Sequence, residues 1–286
     1  MTTNPPHSVR IAAFYGFAPV ADPAALATHL RELGQAAGLV GSIIVASEGV
    51  NGTIAGAPAA VDGLVARLRA QPGLAALAPR LHGAATRPFA RWKVKVKPEI
   101  VTMGVPDVDA AGGAGIHVAP GDWNALIADP DTILIDTRND YEVALGAFEG
   151  ALDPATRSFG DFPAWFDAQA AQWRAAGRTP RIAMYCTGGI RCEKSTAYAR
   201  ARGFEQVYHL RGGILAYLAE IEAAQSKWRG DCFVFDERVA IGHGERPRAL
   251  PPCARCGQPL PPSVTACARC LEAGESGGAA AGGAGG

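Results

Sequence analysis

An apolar run that ends in cysteine and passes at once through two glycines into a helical stretch constrains this chain more than any other feature. Arg181 to Tyr185 reads as a strand, followed by Cys186, Thr187, Gly188, Gly189, Ile190 and Arg191, with Cys192, Glu193, Lys194 and Ser195 opening a helix. A strand delivered to a tight glycine turn and a helix N-terminus is the core of a βα unit. Successive amides of such a loop point inward, the helix end adds partial positive charge, and Arg191 stands close by, so the geometry suits an anion. These effects predict a thiolate nucleophile at Cys186, stabilised by Arg191 and the loop amides of Thr187, Gly188, Gly189 and Ile190. The competing reading is an inert core thiol at a strand end; a buried thiol needs neither the glycine pair nor the arginine. Cys192, one residue past the loop, reads as small buried filler, with a resolving thiol as the alternative.

Around this unit, strands at Asp131 to Asp136, Arg181 to Tyr185 and Gln206 to His209 alternate with helices at Phe162 to Ala175, Arg191 to Ala201 and Ile214 to Ala223, the pattern of a parallel α/β layer. The first hundred residues read differently. Strand Val9 to Phe17 precedes a helix capped by Asp22 with Pro23 at its first position, then a β-rich run from Leu39 to Ala46. Glu48 to Gly52 has turn chemistry, Thr53 to Ala55 a short strand, Pro58 to Ala70 a helix and Trp92 to Val96 a strand. The order βαββαβ predicts a ferredoxin-like α+β sandwich. At roughly 150 residues per domain, 286 residues hold about two such cores. The boundaries expected are 1–105 for the ferredoxin-like part, 106–121 for a Gly-rich linker, 122–225 for the α/β part, 226–272 for a C-terminal extension, and 273–286 for a disordered Gly/Ala tail outside the fold.

With 27 Lys+Arg against 27 Asp+Glu the formal charge is zero, yet the distribution is uneven. Gly63 to Pro98 holds no acid and eight cations, whereas Asp129 to Asp167 holds nine acids against Arg138 and Arg157. Such a split suggests one domain facing a polyanion. In the strand around Trp92, alternation puts Arg91, Lys93, Lys95 and Lys97 on one face, spaced about 6.6 Å apart, close to the phosphate repeat of a nucleic-acid strand, with Phe89 near enough to stack a base. A solvated sheet face is the alternative; the absence of acids over the surrounding segment favours RNA. No apolar run is long enough to span a bilayer and the first residues carry no export signal, so a cytoplasmic protein without a membrane partner is expected.

Seven cysteines without an export signal argue for thiol chemistry or metal rather than disulfides. Cys253, Cys256, Cys267 and Cys270 form C-x2-C-x10-C-x2-C, two thiolate pairs on two short turns, which suits structural tetrahedral zinc in a small ribbon; Arg255 and Arg269 could bring it to RNA, and redox-active thiols are the alternative. Cys232 reads as structural, and the six histidines, His82, His117 and His209 among them, fall in no metal spacing. No flavin, nicotinamide or iron motif is visible.

Several pieces resemble the rhodanese superfamily: the loop from Cys186 to Arg191, the strand-end Asp136-Thr137-Arg138 followed by Glu142, Gly146 with Gly150 and Ala151, and Arg211-Gly212-Gly213. In that superfamily the loop cysteine carries a persulfide, and related phosphatases use a loop one residue longer. Four residues separate Cys186 from Arg191, the sulfur-handling length. Ala147 stands where the superfamily usually has histidine. Together with Ser47 to Gly56, Arg91 to Gly104 and Arg229 to Asp236, the chain is similar from Val9 to Ile241 to the bacterial tRNA uridine 5-hydroxylase family, rhodanese-homology proteins with a ferredoxin-like N-terminal domain. The resemblance implies an oxidoreductase with dioxygen as co-substrate, forming 5-hydroxyuridine at the wobble position of a tRNA anticodon loop, with Cys186 essential and Asp136 and Arg138 supporting it. Cys186 either adds to C6 of uracil, activating C5, or carries a persulfide. A sulfurtransferase acting on RNA or a small acceptor, and a sensor of RNA or persulfide without catalysis, are the alternatives; no protein partner is predictable.

Overall fold

The computed structural model describes residues 9–84, 87–234, 239–248, 250–257, 260 and 270. Strand β1 (Val9–Phe17) leads into helix α1 (Pro23–Ala36), where the Asp22 carboxylate accepts from the Ala25 amide at 2.8 Å, the N-cap expected from the Asp-Pro pair. Strands β2 (Val40–Ala46) and β3 (Gly49–Gly56) form a hairpin, α2 (Pro58–Arg69) follows, and β4 (Arg80–Ala84) and β5 (Trp92–Val96) complete a five-stranded sheet of order β4-β1-β3-β2-β5. Both helices cover one face, burying Ala12, Phe14, Ile43, Val45, Ile54 and Val94 against Leu30, Leu64 and Leu68.

The ferredoxin-like topology is present, but its fourth strand is not the expected one. Arg80–Ala84 pairs antiparallel with β1, while Trp92–Val96 lies parallel to β2 as an added fifth strand. Gly83 and three polar or small neighbours hid β4, an edge strand whose identity depends on pairing rather than on apolar alternation. The turn is also shorter than expected: Ser47 and Glu48 alone make it, and Asn51 and Gly52 lie inside β3, where the Asn51 side chain donates to the Ile100 carbonyl at 2.9 Å.

The second lobe is a four-stranded, all-parallel sheet of order β6-β10-β9-β7, built from β6 (Ile116–Val118), β7 (Thr132–Asp136), β9 (Arg181–Tyr185) and β10 (Val207–Leu210). Strand β6 falls within the segment expected as linker. Helices α3 (Pro120–Ala128), α4 (Asp140–Val143), α5 (Phe162–Ala175), α6 (Ile190–Ala201) and α7 (Gly213–Glu220) surround it. Strand β8 (Gly146–Phe148) pairs with β11 (Trp228–Gly230), and β12 (Cys232–Phe233), β13 (Ala240–Ile241) and β14 (Pro247–Arg248) form a small sheet. Phe148 is the hub of one core layer, meeting Tyr185, Tyr217 and Trp228 edge-to-face with ring centroids 4.7–5.2 Å apart. Cys232 is fully buried beside it, and burial pushes its thiol up to about 12, which agrees with a structural role. No described helix is long and apolar enough to cross a membrane. The expected Gly/Ala tail lies outside the described residues.

Candidate active site between two lobes

The loop after β9 is shaped by its neighbours as well as by its glycines. Gly189 adopts φ +99, and a β-carbon there would meet the Tyr15 hydroxyl at 2.9 Å. Gly213 at φ +64 lets the start of α7 run directly beneath the loop: a β-carbon would sit 2.4 Å from the Cys186 carbonyl. The amides of Ile214 and Leu215 therefore reach the carbonyls of Cys186 and Thr187 at 3.0 and 3.1 Å. With its carbonyls held from below, the loop is free to aim N–H groups at sulfur, and Gly189 donates to Cys186 Sγ at 3.1 Å.

Burial raises the pKa of Cys186, but the Cys192 thiol, the Arg191 charge and the amides of Cys192 and Arg191 outweigh it and hold the sulfur below the ordinary thiol value. Cys192 moves the other way: burial and the Cys186 anion keep it a thiol. Arg191 is itself clamped. Its two terminal nitrogens meet both Glu142 oxygens at 2.6 and 2.8 Å, and Thr187 donates to the same carboxylate at 3.1 Å. Burial disfavours the Glu142 anion, but Arg191 holds its pKa low. Asp136 and Arg138 stand one layer further out. Their fork-to-fork pair, 2.7–3.2 Å, is buried, and Arg138 also donates to the carbonyls of Glu142 and Gly146 while lying over the Trp228 ring. They fix the backbone that carries Glu142 and do not face the cleft.

Sequence reasoning missed the residues that close the site from the other lobe. Glu193 accepts from Tyr15 Oη of β1 at 3.0 Å and lies 3.0 Å from His117 Nε2 and 3.9 Å from His209 Nε2. The histidines read as ordinary are thus brought together from β6 and β10. His209 is pushed down to about 4, chiefly by burial, and so is neutral at pH 7; burial opposes the Glu193 charge, which the His117 bond nonetheless sustains. The donor atoms of His117, Glu193 and His209 lie within 4.8 Å of one another, a set of metal-binding composition. Each has a hydrogen-bond partner: a carbonyl only accepts, so His209 places its Nε2 proton on Gly115 O at 3.2 Å, while its buried Nδ1 has no hydrogen-bond partner among the described residues. Next along α6, buried Lys194 meets Glu48 at 2.8 Å and Glu99 at 2.6 Å. The available hint was helix α6 itself, whose polar residues leave no apolar stripe.

Above the loop a cleft of about 1130 Å³ separates the lobes. Its floor includes Cys186, Thr187, Gly188, Ile190 and Arg191, and Arg211 stands at its edge. Its other wall is the helix-free face of the five-stranded sheet, with Ala13, Tyr15, Ser42, Ile44, Asn51 and Thr53, and with Phe89 at the side. Register places Lys93 beside Ser42 and Lys95 beside Ile44 on this same face, and Lys97 lines the cleft directly. Arg91 precedes β5 and is exposed. Among the described residues no side-chain bond or ion pair engages any of these four cations. Separately, the thiols of Cys253, Cys256 and Cys270 converge within 4.8 Å, compatible with the roughly 3.8 Å sulfur spacing that bonds of about 2.3 Å give around tetrahedral zinc. Cys267 and Arg269 lie outside the described residues.

Residues 9–100 match the family described as UPF0176 acylphosphatase like domain, and residues 119–220 match the rhodanese-like domain. The fold and the cysteine loop thus define a rhodanese-domain protein with an acylphosphatase-like partner domain. Curated relatives cover most of the chain: the tRNA uridine(34) hydroxylase of Gluconobacter oxydans is 54% identical over 252 residues, 88% of this chain and 80% of that protein. The protein of the same name from Caulobacter vibrioides is 53% identical over 262 residues, 89% of this chain and 82% of its own length. The chain belongs to the tRNA uridine(34) hydroxylase family.

The lowered Cys186 pKa has a direct consequence. The thiolate is the form that alkylates, so inactivation by iodoacetamide should rise with pH and level off below the usual thiol value of about 8.5. Peptide mapping should find the label on Cys186 ahead of Cys192; a profile centred at or above the usual value refutes the thiolate.

Proposed function

We infer that this chain hydroxylates C5 of uridine 34 in tRNA, using dioxygen, with Cys186 as the nucleophile. The reading rests on one juxtaposition: an anion-stabilised sulfur on the floor of a cleft whose facing wall carries unengaged lysines. Family membership supports the substrate and the reaction, since the relatives are named for hydroxylation of that uridine. The cleft, at about 1130 Å³, has room for more than one nucleotide, as presenting a single base to a recessed sulfur requires. Addition of the thiolate to C6 would make C5 nucleophilic toward an oxygen donor, a covalent route that needs the low thiol pKa. Arg191 and the loop amides hold the sulfur anionic, while Asp136 and Arg138 keep Glu142 in place beneath Arg191. Arg91, Lys93, Lys95 and Lys97 supply phosphate contacts, and the four-cysteine set holds zinc in a structural role.

Nucleoside analysis of tRNA from a deletion strain tests the chemistry. Complementation with the intact chain should restore 5-hydroxyuridine and its derivatives, whereas Cys186→Ser should leave them at background. Loss of thiolated nucleosides instead would point to sulfur transfer, and no change in either would leave only a binding role. For the lysine wall, Lys93→Glu with Lys95→Glu should weaken tRNA binding and reduce the slope of log affinity against log salt by about 1–2; an unchanged slope places the RNA elsewhere. For the cysteine set, elemental analysis of the purified chain should read about one zinc, lost in Cys253→Ser.

A further inference from the structure

We propose that Cys192 is a second catalytic thiol, supplying with Cys186 the two electrons that hydroxylation by dioxygen requires, and that each turnover leaves a Cys186–Cys192 disulfide. This rests on the proposed hydroxylase reading and deepens it. Insertion of one oxygen atom into the uracil C5–H bond uses half of dioxygen; the other half must be reduced by two electrons. Cys192 projects from the first turn of α6 into the core with no exposed surface, packed in the same cluster as Cys186. It stands at the same loop as Cys186, its amide bonded to the Gly189 carbonyl at 3.0 Å while the Gly189 amide bonds the Cys186 sulfur at 3.1 Å; its thiol is among the groups that hold the Cys186 sulfur anionic, and its own sulfur lies 3.7 Å from Thr137 Oγ1. The Thr137 hydroxyl also contacts the Tyr185 carbonyl, 3.0 Å away, so that side chain is fixed from both sides. A low-pKa sulfur facing the cleft with a neutral thiol behind it is the arrangement of a reactive and a resolving cysteine.

The electrons balance in two steps. In the first, the O–O bond of dioxygen breaks: one atom enters the C5–H bond to give C5–OH, and the S–C6 bond of the adduct breaks as the Cys186 sulfur leaves with the other atom, taking up from solvent the proton its thiol had given away, as a sulfenic acid. In the second, the Cys192 sulfur attacks that of Cys186; the S–S bond forms, the S–O bond breaks, and the leaving hydroxide takes the Cys192 proton and departs as water. An external dithiol returns the pair to the reduced state. The alternative for Cys192, a hydrogen-bond donor that only steadies the anion, predicts no change in its oxidation state.

A single-turnover experiment separates them. Reduced full-length chain, freed of reductant, is mixed with excess unmodified tRNA bearing uridine 34 and then with dioxygen; 5-hydroxyuridine and the thiol state are both counted. Trypsin cuts after Arg191, so the disulfide would join peptides 182–191 and 192–194 as one mass. The expected result is no more than one 5-hydroxyuridine per chain, matched one to one by the joined peptides, and no joined peptides without tRNA. Cys192→Ser, which keeps a hydroxyl donor, should accumulate a dimedone-reactive sulfenic acid on Cys186 and need added dithiol for every further turnover. Product formed while both thiols stay reduced, joined peptides formed equally without tRNA, or Cys192→Ser turning over as the intact chain does would overturn the proposal and leave the hydroxylase reading standing. Absence of 5-hydroxyuridine with the intact chain overturns both.

Discussion

Helix α6 carries three buried charges in its first turn and a half, and the placement of everything else follows from meeting them. Arg191, Glu193 and Lys194 are all buried, and leaving any one of them unpaired would cost about 3–5 kcal/mol. Each is met from a different direction: Arg191 by Glu142 of α4, Glu193 by Tyr15 of β1 with His117 of β6, Lys194 by Glu48 of the β2–β3 turn and by Glu99. Three of these five partners, Tyr15, Glu48 and Glu99, come from the first hundred residues. The N-terminal lobe is therefore an electrostatic requirement of the helix that stands at the reactive loop, and the cleft has a definite width because those bonds have definite lengths.

The same economy governs the loop. A thiolate at a strand end needs donors above it and needs its own carbonyls occupied elsewhere, since a carbonyl turned toward the sulfur would repel it. Helix α7 meets the second need with its first free amides, possible only where Gly213 lets two backbones touch. Arg191 contributes its charge to Cys186 while its donors are spent on Glu142. Position and charge are thus set by different partners, so the arginine can favour the anion without pairing with it and blocking its lone pair.

Local rules made the Cys186 loop legible, because strand, glycine pair and arginine sit within eleven consecutive residues. The helices were legible for the same reason, their caps and apolar spacing being local. Strand β4 was not, since nothing in Arg80 to Ala84 announces an edge strand until β1 is present to pair with it. The clasp of Tyr15, His117, Glu193 and His209 was equally hidden. Its members lie up to 194 positions apart and share no spacing; only the two sheets, once built, bring them together. Glu142 appeared in the sequence as part of a resemblance, yet its function under Arg191 is set by a turn held in place through Asp136 and Arg138, three elements removed from any pattern.

The charge asymmetry of the sequence is real but must be discounted before it says anything about a polyanion. Of the nine acids between Asp129 and Asp167, five are consumed internally: Asp129 by Arg181, Asp136 by Arg138, Glu142 by Arg191, Glu149 by Arg229 and Asp167 by Arg202. The apparent acidic block is thereby reduced to four carboxylates, those of Asp131, Asp140, Asp153 and Asp161. On the basic side Arg67 and Arg69 belong to α2, on the helix-covered face of the sheet, where they meet the His29 ring and the Leu77 carbonyl. The row on β5 instead looks across the helix-free face of the sheet, the wall of the cleft that holds Cys186. Uncompensated charge acts over a Debye length of about 8 Å at physiological salt, and the span of one sheet edge is of that order. On the proposed reading, a polyanion drawn to that edge would be led along the sheet into the cleft, where among the described lining residues the one thiol is that of Cys186.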